Sequence, residues 1–269
     1  MYDLPKTVLG RTGLEVTRLG IGGAYAKTPE AYRMALDCGV TYLDTARAYR
    51  DGDDEHVIGE AIKGRRQEIV LATKTVSRDA AGAREDLETS LRLLGTDYVD
   101  IWQIHYLNKA EEREKVLGPG GAMEAAVEAQ EQGLARFIGV TGHNWEEVAK
   151  AVATGLFDTV LCWYNCAMPE PETTVFPEAV AHNTGVVIMN ATRTDKLLDD
   201  EAPPPIEGFY RYVLSNPAVS VVLRALRDPL SRFEHVAQAL AEQETMPPEE
   251  RGRYEAYGKR LREAGKLDL

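Results

Sequence analysis

Four side chains with complementary proton chemistry lie at similar points of this sequence. Three short apolar runs end in a carboxylate, an ammonium and an imidazole, at Asp44, Lys74 and His105. A phenol, Tyr49, follows Asp44 by five residues, in a predicted loop. In a parallel α/β barrel the carboxyl ends of the strands converge on one face, where such barrels carry out their chemistry. The pattern therefore predicts that the four side chains meet.

Such a set suits proton delivery to a carbonyl group. A phenol is a weak acid, with an ordinary pKa of about 10. A neighbouring ammonium favours the phenolate and makes the phenol a better acid, and a carboxylate keeps that ammonium charged. An imidazole across the pocket can polarise the carbonyl oxygen. Each residue alone also has an ordinary structural role, so the interpretation depends on the four together. Because the sequence has neither a metal-ligand set nor a nucleophile elbow, the electron pair must come from a cofactor.

The elements that must position these residues alternate between strands and helices. Strands are predicted at residues 18–23, 40–44, 69–74, 98–105, 135–141, 159–163, 186–190 and 219–223. Helices are predicted at residues 28–39, 55–63, 80–94, 122–132, 145–154, 173–182, 206–214 and 229–242. A hairpin with turn glycines is predicted within residues 6–17, and a last, highly charged helix at 246–265.

This alternation predicts a parallel sheet, and eight units favour closure into a (β/α)8 TIM barrel with an N-terminal β-hairpin and a C-terminal helix. The alternative is an open doubly wound sheet. A nucleotide-binding version of that sheet carries G-x-G-x-x-G after an early strand, and the sequence GIGGAY at residues 20–25 does not match it. Without a linker-like segment, residues 1–269 are predicted to form a single domain.

Composition excludes several classes of function. The formal net charge of −12 argues against a general binder of nucleic acid or of membrane surfaces. The three cysteines, Cys38, Cys162 and Cys166, lack zinc-site spacing, and free thiols in a reducing compartment are expected. Residues 1–6 lack the apolar core of a signal peptide, and no apolar run approaches membrane-spanning length. The expectation is a cytoplasmic protein.

The sequence resembles the aldo-keto reductases over nearly its whole length. The motifs that carry the resemblance are LGRTGLEVTRLGIGG (9–23), LDTARAY (43–49), IGEAI (58–62), ATKT (72–75), DYVD (97–100), QIH (103–105) and RFIGVTGH (136–143). By this resemblance Asp44, Tyr49, Lys74 and His105 match the family's catalytic tetrad. Tyr49 would be the general acid in reduction, and Lys74 would tune it. NADPH would bind without a Rossmann domain, and the partner would be a small-molecule carbonyl substrate.

The resemblance also implies a cofactor site at the ends of other strands. The residues assigned to it are Gly22, Gly23, Thr141, Asn165, Met189, Arg224 and Arg227. Arg227 matches a basic residue that meets the adenosine phosphate, and Arg224 and Arg232 lie near it in sequence. An arginine fork suits bidentate phosphate recognition. The chain departs from the family pattern at Gly142, Leu161 and Ala225, where many members carry Asn, Gln and Gly.

Substrate contacts are assigned to Tyr25, Tyr106 and His143, with Trp163 as a further aromatic that could line an apolar pocket. Two other functions stay open on the same fold. One is a redox-neutral acid–base enzyme, and the other is a non-catalytic subunit that senses the cofactor. A Schiff-base aldolase is disfavoured, because Asp44 should keep Lys74 protonated. The sequence does not indicate an oligomeric state.

Overall fold

Eight parallel strands form a closed barrel. The computed structural model describes residues 1–227 and 229–267. The barrel strands are β3 (Leu19–Gly22), β4 (Tyr42–Asp44), β5 (Val70–Thr75), β6 (Val99–Ile104), β7 (Ala135–Thr141), β8 (Thr159–Trp163), β9 (Gly185–Met189) and β10 (Val219–Ala225). Each pairs with the next in sequence, and β10 pairs with β3 to close the ring. The predicted (β/α)8 barrel is confirmed, and the open doubly wound sheet is excluded.

Helices follow the barrel strands along the chain. They are α1 (Pro29–Asp37), α2 (Asp53–Ala61), α3 (Ala80–Leu94), α4 (Ala110–Leu117), α5 (Ala122–Glu131), α6 (Trp145–Val152), α7 (Val175–Ala181), α8 (Ile206–Leu214), α9 (Ser231–Glu242) and the C-terminal α10 (Pro248–Glu263). Asn144 caps α6, since its side chain accepts hydrogen bonds from two backbone N–H groups. The sequence analysis missed α4. Its sequence AEEREKVL buries only Val116 and so gives no apolar period to recognise.

The predicted hairpin covers the amino-terminal end of the barrel. Strands β1 (Lys6–Val8) and β2 (Glu15–Thr17) pair antiparallel. Leu9, Leu14 and Val16 of this hairpin join an apolar cluster with side chains from the barrel interior, Tyr42, Val70, Ala72, Ile101, Leu161, Val187, Val221 and Leu223. The turn lies against the start of β9, where Arg11 N–H donates to the carbonyl of Asn183. The hairpin therefore packs against the end opposite to the predicted chemistry.

The strand register brings the predicted functional residues to the same end of the barrel. Asp44 pairs with Gly22 on one side and with Ala72 on the other. Lys74 pairs with Gln103, two residues before His105. Strand β10 runs two residues further than predicted, so Arg224 lies within it, in register with Ile21 of β3. These pairings place the predicted functional residues at the carboxyl-terminal face of the barrel.

The described residues can be examined for membrane-spanning helices, metal-binding clusters and the state of the cysteines. Within 1–227 and 229–267, no helix has both the length and the apolar character needed to cross a membrane. The same residues contain no cluster of three or more His, Cys, Asp or Glu side chains arranged to hold a metal ion. The three cysteines are free, as predicted, and all three are buried.

Candidate active site

A buried ion pair lies at the centre of the carboxyl-terminal face. The ammonium Nζ of Lys74 lies 2.5 Å from Oδ2 of Asp44 and donates to the carbonyl oxygen of Thr45 at 2.7 Å. Burial alone would lower the pKa of Lys74, but Asp44 and Tyr49 outweigh it and raise that pKa above its ordinary value. Lys74 is therefore charged, and its position is fixed by the Asp44 carboxylate and the Thr45 carbonyl.

Tyr49 reaches this ion pair from a tight turn after β4. Its hydroxyl lies 3.3 Å from Nζ of Lys74, and the ammonium lies 4.6 Å from the centre of its ring. Burial raises the pKa of Tyr49, and Lys74 opposes that shift. The expectation that the ammonium favours the phenolate is correct in sign, but burial is the larger effect. The group is a protonated phenol with a cation against its oxygen.

His105 completes the set on the other side of Tyr49. The two rings meet edge to face, with centroids 5.7 Å apart. Burial, together with a smaller effect of the Lys74 charge, lowers the pKa of His105 to about 2. Its Nδ1 is buried without a hydrogen-bond partner among the described residues. A neutral imidazole here carries one N–H donor and one acceptor, so it can orient a carbonyl oxygen without giving up a proton.

A cleft of about 410 Å³ opens beside Asp44 and Tyr49, whereas Lys74 and His105 are not among the residues that line it. This volume falls in the range of small-molecule sites. Its lining includes Asp44 and Tyr49 of the predicted tetrad and six of the other predicted site residues, Gly22, Gly23, Tyr25, Tyr106, His143 and Met189. Also in the lining are Ala24, Trp163, Asn190, Arg193, Thr194, Leu223 and Ala225.

One wall of the cleft is a continuous series of ring contacts. His105 stacks on Tyr106 with centroids 3.8 Å apart, and Tyr106 meets His143 edge to face at 5.0 Å. His143 in turn packs on Trp163 at 4.2 Å, and the guanidinium of Arg193 covers the outer face of Trp163. Burial lowers the pKa of His143. The wall is aromatic, with neighbouring ring planes at angles of 14°, 89° and 30°, and it ends at the guanidinium of Arg193.

A smaller cavity adjoins the cleft and holds the predicted arginines. Arg224 is 4% exposed and donates to the hydroxyl of Tyr210 at 2.7 Å. Arg227 donates to the carbonyl oxygen of Thr194, and its guanidinium lies 4.1 Å from the centre of the Tyr25 ring. Both arginines and Tyr25 line this cavity. The structure thus brings Arg224 and Arg227 together, at the side of the cleft away from His105.

Thr141 and Asn165 are engaged by the protein itself. The hydroxyl of Thr141 accepts from the backbone N–H of Tyr106, and Asn165 is fully buried. The Asn165 side chain donates to the carbonyl of Asn190 at 2.9 Å and accepts from the N–H of Ala167. Neither residue is among those that line the described cleft. Their assignment to the cofactor stays a prediction.

Comparison with known proteins was made on the sequence and on the fold. The sequence model described as the Aldo/keto reductase family matches residues 18–203. This chain belongs to that family. The aldo-keto reductase YhdN of Bacillus subtilis (strain 168) is 35% identical over 196 residues, which are 64% of this chain and 57% of YhdN. The match therefore spans a little over half the length of that relative.

Solved structures have the same fold as this family member. An aldo-keto reductase from Bacillus halodurans in its holo form superposes with a TM-score of 0.81 and 24% identity, covering 95% of this chain and 96% of the other. An aldo-keto reductase from Klebsiella pneumoniae in complex with NADPH has a TM-score of 0.78 and 21% identity, with 99% of each chain covered. These similarities show the barrel, and they confirm the fold expected of the family.

Sequence reasoning missed a layer of buried polar residues beneath the site of this aldo/keto reductase. Gln103 donates to Oδ1 of Asp44 at 2.8 Å. Asp54 accepts from the hydroxyls of Tyr32 and Thr45, each at 2.7 Å. The signal for Gln103 was available, because it lies two residues before His105 and so shares its face of β6. Asp54 gave no such signal, since a carboxylate in the first turn of a helix is ordinary.

Asn190, Arg193 and Thr194 were also missed as lining residues. They lie in the segment that directly follows β9. Four non-glycine residues there adopt positive φ, namely Asn190, Arg193, Thr194 and Asp195, at 64°, 51°, 58° and 66°. Such conformations are uncommon and occur more often at functional sites. A positive φ at a residue other than glycine cannot be recognised from the sequence.

Proposed function

We propose that this aldo/keto reductase reduces an aldehyde or ketone to an alcohol by hydride transfer from NADPH, with Tyr49 as the general acid. The observation that carries the proposal is the position of Lys74. Its ammonium is held by Asp44 at 2.5 Å and lies 3.3 Å from the Tyr49 hydroxyl. A fixed cation at that distance stabilises the phenolate that remains after the proton has left.

The proton chemistry follows from the groups present. The Tyr49 hydroxyl gives its proton to the carbonyl oxygen, and the resulting phenolate is stabilised by Lys74. The neutral imidazole of His105 donates a hydrogen bond to the same oxygen and orients the carbonyl between the two rings. NADPH, when bound, supplies the hydride that reduces the carbonyl carbon. Tyr49 then recovers a proton from water, and the alcohol leaves.

The residues at the cleft fit a dinucleotide. Gly22 and Gly23 present backbone without side chains at the wall beside Asp44. On the side away from His105, Arg224 has a buried Nε without an acceptor among the described residues. A guanidinium donor in that condition suits a phosphate oxygen. NADPH is the cofactor in the Klebsiella structure of the same fold. We therefore assign NADPH to this cleft, with its adenosine phosphate at Arg224 and Arg227.

The ring wall supports a class of substrate. Tyr106, His143 and Trp163 offer flat surfaces beside Tyr49, and flat surfaces favour a planar or conjugated carbonyl compound over a bulky aliphatic one. His143→Ala should raise KM for aryl aldehydes several-fold while leaving kcat within about twofold, because it removes binding area but no proton donor.

The aldolase alternative is not supported by the geometry. A lysine that forms a Schiff base must be neutral at working pH. Lys74 has a raised pKa and pairs with Asp44. The cofactor-sensing alternative predicts nucleotide binding without turnover, and the redox-neutral alternative predicts turnover without a nicotinamide cofactor.

A titration separates these functions. The purified protein is titrated with NADPH and with NADH, following tryptophan fluorescence and thermal unfolding, and is then assayed against a panel of aldehydes and ketones. Saturable binding with carbonyl-dependent NADPH oxidation is expected. Binding without turnover of any carbonyl would support the sensing subunit. Failure of both nucleotides to bind would overturn the reductase proposal.

A further inference from the structure

Asp195 places a carboxylate inside the cavity assigned to the adenosine phosphate. Its Oδ1 lies 3.7 Å from a terminal nitrogen of Arg224, and its Oδ2 lies 3.7 Å from one of Arg232. Thr192 donates its hydroxyl to Oδ1 at 2.8 Å and fixes the orientation of the carboxylate. Asp195, Thr192, Arg224 and Arg227 all line the cavity, which has a volume of about 60 Å³.

The contact between Asp195 and Arg224 is an ion pair without a hydrogen bond. A distance of 3.7 Å is too long for an N–H donor to bond its acceptor, but the charges still attract strongly when one partner is buried. Arg224 is 4% exposed, and its Nε lacks an acceptor among the residues described. The guanidinium is therefore neutralised in part by Asp195 and left with donor capacity for one more oxygen.

We propose that Asp195 is a resident counter-ion of the phosphate cavity that weakens recognition of a 2′-phosphate and so sets the cofactor selectivity of this enzyme. The inference rests on the cofactor site proposed above. A 2′-phosphate that approaches Arg224 and Arg227 meets a carboxylate already facing Arg224, and like charges repel at this range. A free ribose hydroxyl meets an acceptor instead and can donate to it. Asp195 thus weakens the binding of NADPH but not the binding of NADH.

The backbone conformation of Asp195 indicates that its carboxylate is held in the cavity at the expense of backbone strain. Arg193, Thr194 and Asp195 form three successive residues with positive φ. Each such residue is strained relative to an ordinary loop conformation, and strain of this kind persists only where surrounding contacts impose it. The hydrogen bond from Thr192 and the two arginines are contacts of that kind.

The test uses Asp195→Asn, which removes the charge and preserves the shape. Asparagine tolerates positive φ and keeps a side-chain oxygen for Thr192. Binding of adenosine 2′,5′-bisphosphate and of adenosine 5′-monophosphate is measured by calorimetry on the protein without cofactor. We expect Asp195→Asn to bind the bisphosphate at least about tenfold more tightly, and the monophosphate no more tightly than before. The variant's thermal unfolding is recorded to confirm that it is folded.

Asp199→Asn is the matched control, because it removes one negative charge from the same segment outside the lining of this cavity. It should leave the ratio of the two affinities within about twofold of the wild-type ratio. An unchanged ratio in Asp195→Asn, with both nucleotides still bound, would overturn the inference and leave the proposed function intact. If the wild-type protein binds neither nucleotide, the cofactor site itself is wrong, and the inference fails with it. Asp195→Ser gives a second neutral variant if the asparagine protein does not fold.

Discussion

Gln103 donates its side-chain N–H to the Asp44 oxygen that Lys74 does not contact. The bond to Oδ1 is 2.8 Å long, while Lys74 lies 2.5 Å from Oδ2. Because the two oxygens are held by different partners, the carboxylate cannot rotate, and the ammonium above it cannot shift away from Tyr49. Gln103 is thus a positioning residue for the ion pair and does not take part in proton transfer.

Replacing Gln103 by leucine should destabilise the fold and loosen the site. A hydrogen bond to a buried charged group contributes about 1.5–3 kcal/mol, and the variant should lose that much free energy of unfolding in urea. Gln132→Leu, an exposed position at the end of α5, is the control and should change stability by less than about 0.5 kcal/mol. Equal stability of the two variants would show that the contact to Asp44 is unimportant.

Tyr49→Phe should remove turnover and leave cofactor affinity nearly unchanged, because only the transferable proton is lost. General acid catalysis contributes about 10²–10⁴-fold, so kcat should fall by at least that factor. The measurement is steady-state kinetics beside fluorescence titration with NADPH. Tyr98→Phe, at the opposite end of the barrel before β6, should behave as wild type. A parallel loss of binding in Tyr49→Phe would mean that Tyr49 serves the cofactor and not the proton.

Gly22, the last residue of β3, and Gly23, which follows it, should respond very differently to replacement by alanine. A Cβ at Gly23 would lie 2.4 Å from Oδ2 of Asp54 and 2.9 Å from the carbonyl oxygen of Asp44. At Gly22 the nearest atom would be 3.6 Å away, an ordinary contact. Gly23→Ala should therefore cost about 1–3 kcal/mol in urea unfolding, as overpacking does, while Gly22→Ala stays near the wild-type value. A similar effect at both positions would contradict the close approach of Asp54.

Arg227→Ala should weaken NADPH much more than NADH. Arg227 lies in the cavity assigned to the adenosine phosphate and is anchored only to the Thr194 carbonyl and the Tyr25 ring in the described contacts. Loss of a charged hydrogen bond to phosphate should raise the Kd for NADPH by about tenfold or more. Arg253→Ala, an exposed arginine of α10 paired with Glu249, is the matched control. If the NADPH to NADH ratio did not change, the phosphate would have to bind elsewhere.

His105 should remain neutral across the working pH range. Its folded pKa lies at about 2, whereas an unfolded histidine takes up a proton near pH 6.5. The stability that depends on this difference is fully present above about pH 6.5 and declines as the pH falls toward about 2. Urea unfolding of wild type and His105→Gln at several pH values should converge on acidification. A gap that widens as the pH decreases would mean that His105 is charged in the folded protein.

The sequence was a good guide to the barrel and to the centre of the site. Strand ends carry periodic and compositional signals, so Asp44, Lys74 and His105 could be predicted to meet, and the alternation of strands and helices could be predicted along most of the chain. The rest depends on properties that a sequence does not encode locally. The positive φ of Asp195 and the burial of Asp54 arise from tertiary packing. The hydrogen bonds between the Asn165 side chain and neighbouring backbone groups also depend on the three-dimensional structure.

The hairpin of β1 and β2 has a consequence for the timing of the reaction. With its apolar side chains packed into the barrel interior beneath Tyr42, water reaches the Asp44–Lys74 pair from the cleft and not from below. In the proposed reduction, the substrate, the product and the proton that restores Tyr49 would therefore share one passage. An alcohol still in the cleft would delay the return of that proton, so that release of the product and reprotonation of Tyr49 would be coupled in each cycle.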